Sequence, residues 1–192
     1  MNRHGGTLEN RMRFPLDVCR AVRAAVGDFP VGYRLMAREY VEGGLSLEDG
    51  VAVAEGIAQA LDPAYISVTA GMYECWAMLA ESTPKVPPGY MLDEAEAVKK
   101  SVPDVAVIAA GQLYTPGVCA EALCEIGVEG IGLARPLFAD IDLVRKLLGE
   151  NADPVRVCKQ CNFCQNCLGA GKPVACSLWT REERATRLEG VQ

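Results

Sequence analysis

The sequence predicts an α/β fold, namely one half of an eight-stranded TIM (β/α)8 barrel, followed by a cysteine-rich segment. Before residue 150, short apolar runs that end in small residues alternate four times with helical patterns. Strands joined by one helix each must lie parallel, and a closed barrel takes eight such units and about 250 residues. Four units therefore make half a barrel, after which five cysteines crowd between residues 158 and 176.

An open doubly wound sheet of four strands is the competing architecture. Its usual mark in dinucleotide-binding proteins is a Gly-x-Gly-x-x-Gly turn after the first strand, and no such turn occurs in this chain. The half-barrel is therefore the preferred architecture.

The composition describes one globular domain with an acidic balance. Of the 192 residues, half are apolar and 6% are aromatic, which suits an α/β protein rich in Ala, Val and Leu. A net charge of −6 argues against nucleic acid or an anionic membrane as a main partner. The sequence has no membrane-spanning apolar run and no apolar signal segment. We therefore expect a cytoplasmic protein, in which the nine cysteines are not expected to form disulfides.

An entering helix precedes the four units. It begins after Thr7, a suitable N-cap, and ends at Gly27, and Pro15 within it predicts a kink or a restart. The pattern then predicts strands at 31–36, 65–69, 105–109 and 128–133, and helices that begin after Ser46, at Leu92, at Pro116 and at Leu143. The long connection between Met72 and Met91 holds three prolines and is typical of a binding loop or lid.

The connections that follow the third and fourth strands suggest an anion site. Gly111 follows the third strand and Ala134-Arg135 follows the fourth, so backbone N–H groups and a guanidinium meet at one end of the sheet. Such a set suits a phosphate dianion, and barrels frequently bind phosphate with the loops after their last two strands. A plain βαβ unit, in which Gly111 only relieves a tight turn, explains the same residues equally well.

Arg34 is the single charge in the first predicted strand. At the carboxyl end of a barrel strand, a charged side chain indicates site chemistry, because that face of a barrel carries the active site. An ion pair with Glu39 is the alternative, and the sequence does not decide between them.

The cysteines of the C-terminal segment are spaced as metal ligands. Cys158, Cys161, Cys164 and Cys167 follow one another at two-residue intervals, and Cys176 comes after a Gly/Pro loop. Thiolates in this rhythm select an iron–sulfur cluster or zinc, and three consecutive short spacings favour a [4Fe–4S] cluster. Unliganded cysteines in a reduced cytosol remain the alternative.

Together these motifs resemble the C-terminal half of the flavin barrel of the old yellow enzyme family, in its iron–sulfur branch with 2,4-dienoyl-CoA reductase and trimethylamine dehydrogenase. The likeness runs to Cys176 and rests on several motifs in the right order. They are Gly5-Gly6-Thr-Leu-Glu-Asn-Arg11, Val31-Gly-Tyr-Arg34-Leu35, Gly43-Gly44-Leu45, Gly111, Ala134-Arg135-Pro136-Leu137 with Ala139-Asp140, and the cysteine run.

The resemblance implies roles for the residues of the anion site and for Arg34. Arg34 is similar to the arginine that contacts the pyrimidine end of FMN and stabilises negative charge on the reduced flavin. Gly111 and Gln112 resemble the first phosphate-binding turn. Ala134 and Arg135 resemble the second turn, where the family usually has Gly-Arg.

The resemblance also implies the cluster ligands and the reaction. Cys158, Cys161, Cys164 and Cys176 match the four ligands of a [4Fe–4S] cluster best, which leaves Cys167 surplus. The implied function is an FMN- and iron–sulfur-dependent NAD(P)H oxidoreductase of the ene-reductase or dienoyl-CoA reductase type. Hydride would pass from nicotinamide to flavin and then to an electron-poor alkene, with the cluster relaying single electrons.

The same resemblance predicts an incomplete catalytic site. In the family, the substrate anchors and the proton-donating tyrosine lie upstream of the motif at Gly5-Gly6, so we expect no catalytic residue of this kind within the sequence. A non-catalytic half-barrel that binds a metal or cluster and acts as an assembly partner is the alternative function.

Three regions and an assembly requirement follow from this interpretation. We expect residues 1–150 to form the FMN-type half-barrel, residues 151–178 to bind the cluster, and residues 179–192 to form a charged tail. Four strands leave two open edges and an inner face that we expect to carry Val, Ile and Leu. Such surfaces associate, so we expect self-association or a chain that supplies the first four βα units.

Overall fold

The strands form one parallel sheet in the computed structural model, which describes residues 2–72 and 86–189. They are β1 (Gly32–Arg38), β2 (Tyr65–Ala70), β3 (Ala106–Ala109) and β4 (Gly130–Ile131). They lie in the order β1-β2-β3-β4, each parallel to the next. This sequential order confirms the half-barrel, because a doubly wound sheet reverses its strand order at a switch point.

Five of the helices in the described residues begin where the sequence predicts them. They are α1 (Leu8–Val26), α2 (Leu47–Leu61), α3 (Leu92–Ser101), α4 (Pro116–Ala120) with a π-helical continuation (Glu121–Ile126), α5 (Arg135–Ala139), α6 (Leu143–Leu147), α7 (Phe163–Gly169) and α8 (Arg181–Arg187). Thr7 accepts the N–H of Asn10 at the start of α1, and Ser46 forms a capping box with Asp49 at the start of α2. Gly27, at φ +58°, ends α1 as predicted.

Two elements differ from their predicted form. Helix α1 runs without interruption through Pro15, so the restart does not occur. Its Met12 and Leu16 pack directly over Gly56 of α2, and this contact holds the helix together across the missing N–H of the proline. Strand β4 is shorter than the predicted 128–133, because Gly130 and Gly132 offer no side chains to pack. Most of the predicted lid between Met72 and Met91, namely residues 73–85, lies outside the described residues.

One face of the sheet is covered and the other is open. The covered face packs against the helices through residues at most 3% exposed, namely Leu35, Ala37, Ile66, Val68, Val107 and Ala109. Alternate residues on the open face are exposed or half-buried, among them Arg34, Met36, Tyr65, Ser67, Thr69 and Ile108. The expectation of an inner face of Val, Ile and Leu was therefore wrong. The large aliphatic residues face the helices, whereas the open face is mixed and carries a charge.

The C-terminal residues, predicted as a charged tail, include a buried aromatic side chain and a helix. Trp179 is buried, and its indole Nε1 donates to the carbonyl of Phe138 in α5 at 2.6 Å. Helix α8 follows, with a capping box between Thr180 and Glu183. The segment up to residue 187 is thus a packed element, because one aromatic anchor and one cap outweigh its charged composition. In the described parts of the chain, no helix is both long and apolar enough to cross a membrane.

Candidate functional site

Arg34 lies at a cavity beside the carboxyl ends of β1 and β2. The cavity has a volume of about 370 Å³ and is lined by Arg34, Thr69, Tyr90 and Gln165, among others. The Arg34 side chain points to the open face of the sheet, and it forms no ion pair with any described residue. The carboxylate of Glu39 accepts the N–H of Leu45 at 2.7 Å instead of pairing with Arg34. The guanidinium is therefore available at the end of the sheet where a barrel binds its ligand.

The first predicted phosphate turn has a backbone conformation that favours glycine at position 111. Gly111 has φ +111°, and a Cβ atom there would lie 3.1 Å from the Met91 side chain. Gln112 follows at φ +60° and is 7% exposed. Its Oε1 atom is buried and has no hydrogen-bond partner. A buried amide oxygen without a donor costs free energy, so this atom is ready to accept a hydrogen bond from a ligand.

The second predicted turn leads into helix α5. Ala134 stands where the family usually has glycine, and its φ of −128° lies outside the left-handed region that favours glycine. Arg135 is the first residue of α5, and its Nη1 donates to Oδ1 of Asn162 at 2.9 Å. Burial raises the pKa of the Tyr90 hydroxyl, and the nearby charge of Arg135 partly opposes that rise. Tyr90 therefore lies between Arg135 and the cavity that contains Arg34.

The loop after β1 is fixed to α3 by a buried carboxylate. Tyr40 has φ +57° and donates its hydroxyl to Glu94 Oε1 at 2.5 Å, while Glu94 is only 1% exposed. The guanidinium of Arg38 lies 4.8 Å above the Tyr40 ring and 3.8 Å from Glu94 Oε1. Burial and the hydrogen bond to Glu94 raise the pKa of Tyr40. This contact holds the end of the strand that carries Arg34 against the helix that follows Tyr90.

The structure does not gather the predicted cluster ligands. None of Cys158, Cys161, Cys164 and Cys176 forms a disulfide. Nowhere in residues 2–72 and 86–189 do three or more potential ligands form a group that could hold a metal ion. Cys161 Sγ instead lies 3.2 Å from Ser177 Oγ. Burial raises the pKa of Cys164, with Arg135 opposing that rise and Cys158 adding to it, so these groups are neighbours. The thiols have the chemistry of a cluster site but not its arrangement.

Three residues at the site were missed by sequence reasoning. Tyr90 and Gln165 line the Arg34 cavity, and Asn162 binds Arg135. Asn162 and Gln165 lie among the cysteines, where the sequence reveals only ligand spacing. Tyr90 follows Pro87-Pro88-Gly89, a pattern that predicts a turn and no function. The sequence-predicted Gly111, Gln112, Ala134 and Arg135 follow β3 and β4, whereas Arg34 lies within β1 on the open face of the sheet.

Comparison with known proteins identifies the family. The model of the NADH:flavin oxidoreductase / NADH oxidase family matches residues 1–153. The chain belongs to this family. This confirms the predicted resemblance at the level of the flavin oxidoreductases.

Relatives in the NADH:flavin oxidoreductase / NADH oxidase family are much longer than this chain. The chain is 33% identical over 170 residues to an NADH oxidase of Thermoanaerobacter brockii, which covers 88% of this chain and 25% of the relative. It is 34% identical over 194 residues to a metal reductase of Desulforamulus reducens, and this match covers 97% of this chain and 28% of the relative. A cinnamate reductase of Clostridium sporogenes is 31% identical over 182 residues, and this match covers 86% of this chain and 26% of the relative. The chain thus spans about a quarter of the length of these relatives.

Solved structures show the same relationship. A 2-naphthoyl-CoA reductase in complex with 2-naphthoyl-CoA superimposes with a TM-score of 0.80 at 26% identity, covering 100% of this chain and 28% of that chain. Morphinone reductase superimposes with a TM-score of 0.54 at 25% identity, and this match covers 80% of this chain and 40% of that chain. Because the first match covers the whole chain, the likeness includes the cysteine-rich segment as well as the half-barrel.

Proposed function

We propose that this chain forms the FMN-binding end of an NAD(P)H-dependent flavin oxidoreductase. The observation that carries the proposal is that the Gly111-Gln112 turn and Arg135 follow the neighbouring strands β3 and β4, while Arg34 lines a cavity on the same sheet. These residues fit FMN in their chemistry, because the buried Oε1 of Gln112 has no hydrogen-bond partner and Arg135 carries a guanidinium suited to a phosphate. When bound, FMN supplies the centre that accepts and donates hydride.

Arg135, Gln112 and Arg34 would each contact a different part of the cofactor. Arg135 would bind the phosphate, since a guanidinium fork matches phosphate oxygens. Gln112 would accept a hydrogen bond from a hydroxyl or N–H group of FMN with its unpartnered oxygen. Arg34, on the open face beside the cavity, would lie against the flavin ring and stabilise negative charge on its reduced form. Residues 1–150 would thus act as the FMN half-barrel.

The proposed acceptor is an electron-poor alkene. Relatives named cinnamate reductase and 2-naphthoyl-CoA reductase support this class, because their names refer to unsaturated acids or thioesters. We place the general acid and the substrate anchors in βα units outside this sequence. The chain would then bind and orient the flavin, and the proton would come from the completing units.

Replacement of Arg135 tests the cofactor assignment. A charge-assisted contact to phosphate is worth roughly 1.5–3 kcal/mol, so Arg135→Ala should weaken FMN binding about tenfold or more. Riboflavin, which lacks the phosphate, should bind the variant and the parent almost equally in a fluorescence titration. Arg145→Ala, at a side chain 63% exposed on α6, controls for the loss of one positive charge. If Arg135→Ala weakened riboflavin as much as FMN, Arg135 would not contact the phosphate.

We further propose a [4Fe–4S] cluster in residues 151–178, with Cys158, Cys161, Cys164 and Cys176 as ligands. The two-residue spacing of Cys158, Cys161 and Cys164, with Cys176 after a Gly/Pro loop, supports it. Because the thiols are apart in the structure, the segment would close around the cluster as it is assembled.

Metal analysis after anaerobic purification tests the cluster. Iron and acid-labile sulfide should each reach about four per chain, as a [4Fe–4S] centre requires. Cys161→Ser should lose the iron, whereas Cys167→Ser, a matched change at the surplus cysteine, should retain it. Stoichiometric zinc without iron would refute this part of the proposal.

A further inference from the structure

We propose that Gln165, a residue of the cysteine-rich segment, contacts the flavin ring in the cavity of Arg34 through a hydrogen bond of its side-chain amide. The inference rests on the proposed FMN function. It adds that the segment after the half-barrel forms part of the wall that recognises the ring rather than the phosphate.

The cavity of Arg34 is lined by parts of the chain that are far apart in sequence. Arg34, Met36 and Thr69 come from the open face of the sheet, whereas Gln165 comes from helix α7. The volume of about 370 Å³ lies within the range of small-ligand pockets, about 300–1,000 Å³. A ligand that fills this cavity therefore contacts α7 as well as the sheet.

The amide of Gln165 contains an atom that the protein leaves without a partner. Its Oε1 is buried and accepts no hydrogen bond from any described residue. Rotation of the amide by half a turn puts Nε2 in the same place, so one polar position is unpartnered in either orientation. A buried polar group of this kind costs free energy until it forms a hydrogen bond. A ligand in the cavity that bonds to the amide removes this cost.

Arg34 and Gln165 offer a ligand two different kinds of hydrogen bond. A guanidinium only donates, whereas a side-chain amide both donates and accepts. The flavin ring carries carbonyl and ring-nitrogen acceptors together with an N–H donor, so it can use both side chains. The predicted phosphate turns follow β3 and β4, whereas the sheet residues at this cavity belong to β1 and β2. Gln165 is therefore assigned to the ring end of the cofactor.

Contacts to two other parts of the chain hold the segment that carries the amide beside the cavity. Gln160 Nε2 donates to the carbonyl of Val86 at 3.0 Å. The guanidinium of Arg184 lies 5.3 Å from the centre of the Phe163 ring, at the first residue of α7. A side chain on a supported element loses less freedom when a ligand binds. The amide is thus presented to the ring by a helix that is already in place.

Titration of the whole chain with FMN and with riboflavin tests the ring contact, because the two flavins share the ring and differ in the phosphate. Gln165→Met keeps the length of the side chain and removes the amide. It should weaken both flavins equally, roughly three- to tenfold, as expected for one lost neutral hydrogen bond. Asn166→Ala, an exposed change on the same helix, should bind both flavins as the parent does.

The visible absorption spectrum of bound riboflavin gives a second measurement that a purely structural role would not change. A hydrogen bond to the ring alters the energies of its electronic transitions. The bands of riboflavin bound at saturation should therefore lie at different wavelengths in Gln165→Met and in the parent. Identical bands in the two proteins would overturn the ring contact.

The outcomes separate this inference from the function on which it rests. If Gln165→Met binds both flavins as the parent does, or weakens FMN alone, the ring contact is wrong while the proposed function stands. If the parent chain binds neither flavin, the proposed function itself fails.

Discussion

Asp140 is a buried carboxylate that holds together the corner after α5. It is 1% exposed, and it accepts hydrogen bonds from Lys146 Nζ at 2.8 Å, from the Arg156 N–H at 2.8 Å and from the Asp142 N–H at 3.2 Å. Burial raises the pKa of Asp140, but these hydrogen bonds and the charge of Lys146 outweigh it, so the net pKa is lowered. The carboxylate thereby links the helix that carries Arg135 to the start of the cysteine-rich segment.

Substitution of Asp140 should change both the stability and its pH dependence. Asp140→Asn leaves Lys146, whose side chain is 8% exposed, without a counter-charge. Breaking a buried pair in this way costs about 3–5 kcal/mol at pH 7. A lowered folded-state pKa stabilises the parent above the unfolded value of about 3.9, and this stabilisation is lost as pH falls through the folded value. The variant should therefore lose less stability than the parent on going to acid.

Urea unfolding between pH 7 and pH 3 measures both effects. Asp142→Asn is the matched control, because its carboxylate is 45% exposed and lies 3.9 Å from Arg145. An exposed pair contributes about 0–1 kcal/mol, so this control should follow the parent closely. An unchanged acid slope in Asp140→Asn would show that other carboxylates carry the acid sensitivity.

At the scale of elements, helix α8 is tied to the helix that begins at Arg135. Trp179 stacks on Phe138 of α5 with ring centroids 6.3 Å apart, and Arg187 lies 5.0 Å above the indole. Glu183 accepts two hydrogen bonds from Arg156, at 2.7 and 3.0 Å. These bonds, with the N–H of Thr180, lower the pKa of Glu183 to about 2. The C-terminal helix is therefore joined to α5 through Trp179 and to the start of the cysteine-rich segment through Arg156.

Removal of the indole should release α8. Trp179→Ala loses a buried aromatic side chain, which costs about 3–5 kcal/mol. Hydrogen exchange should then show fast exchange of amides 181–187 while the strands remain protected. Trp179→Phe keeps a ring against Phe138 and loses only the indole hydrogen bond, about 0.5–1.5 kcal/mol. Unchanged protection of α8 in Trp179→Ala would mean that the contacts of Glu183 and Arg184 hold the helix without the indole.

The whole molecule has a parallel sheet with only one covered face. Parallel sheets are normally covered on both faces, so the open face that carries Arg34 and Thr69 requires a second layer. The outer edges of β1 and β4 have no neighbouring strand within the described sheet. Exposed strand edges and uncovered sheet faces generally favour association.

We expect the purified chain to self-associate or to require a chain that supplies four more βα units. Light scattering over a range of concentrations measures self-association. Co-expression with the first four βα units of a family relative tests whether the chain requires a completing partner. Only the combined protein should reduce enones with NAD(P)H, because loss of a general acid costs roughly 10²–10⁴-fold in rate. A monomer that reduces enones unaided would contradict this prediction. A stable complex without turnover would favour the non-catalytic assembly partner.

Local patterns in the sequence were sufficient to predict most of the helices and strands and part of the candidate site. Caps such as Ser46, the left-handed glycines at 27 and 111, and the alternation in β1 depend on residues close together in the chain. Arg34, Gly111 and Arg135 could be placed at one end of the sheet, because parallel strands bring their carboxyl ends together. The half-barrel itself followed from counting these units.

Only the tertiary structure decided the contacts that join the C-terminal segment to the barrel. Arg135 meets Asn162 across 27 residues, Arg156 meets Glu183 across 27, and Trp179 meets Phe138 across 41. The periodicity of the sequence does not predict such pairs, because each pair depends on how helices and strands pack after they have formed. For the same reason the cysteine spacing predicted a ligand set, whereas the positions of the four thiols depend on how the segment packs against α5. The sequence by itself determined which groups are available at the mouth of the half-barrel, and packing determined which of them touch.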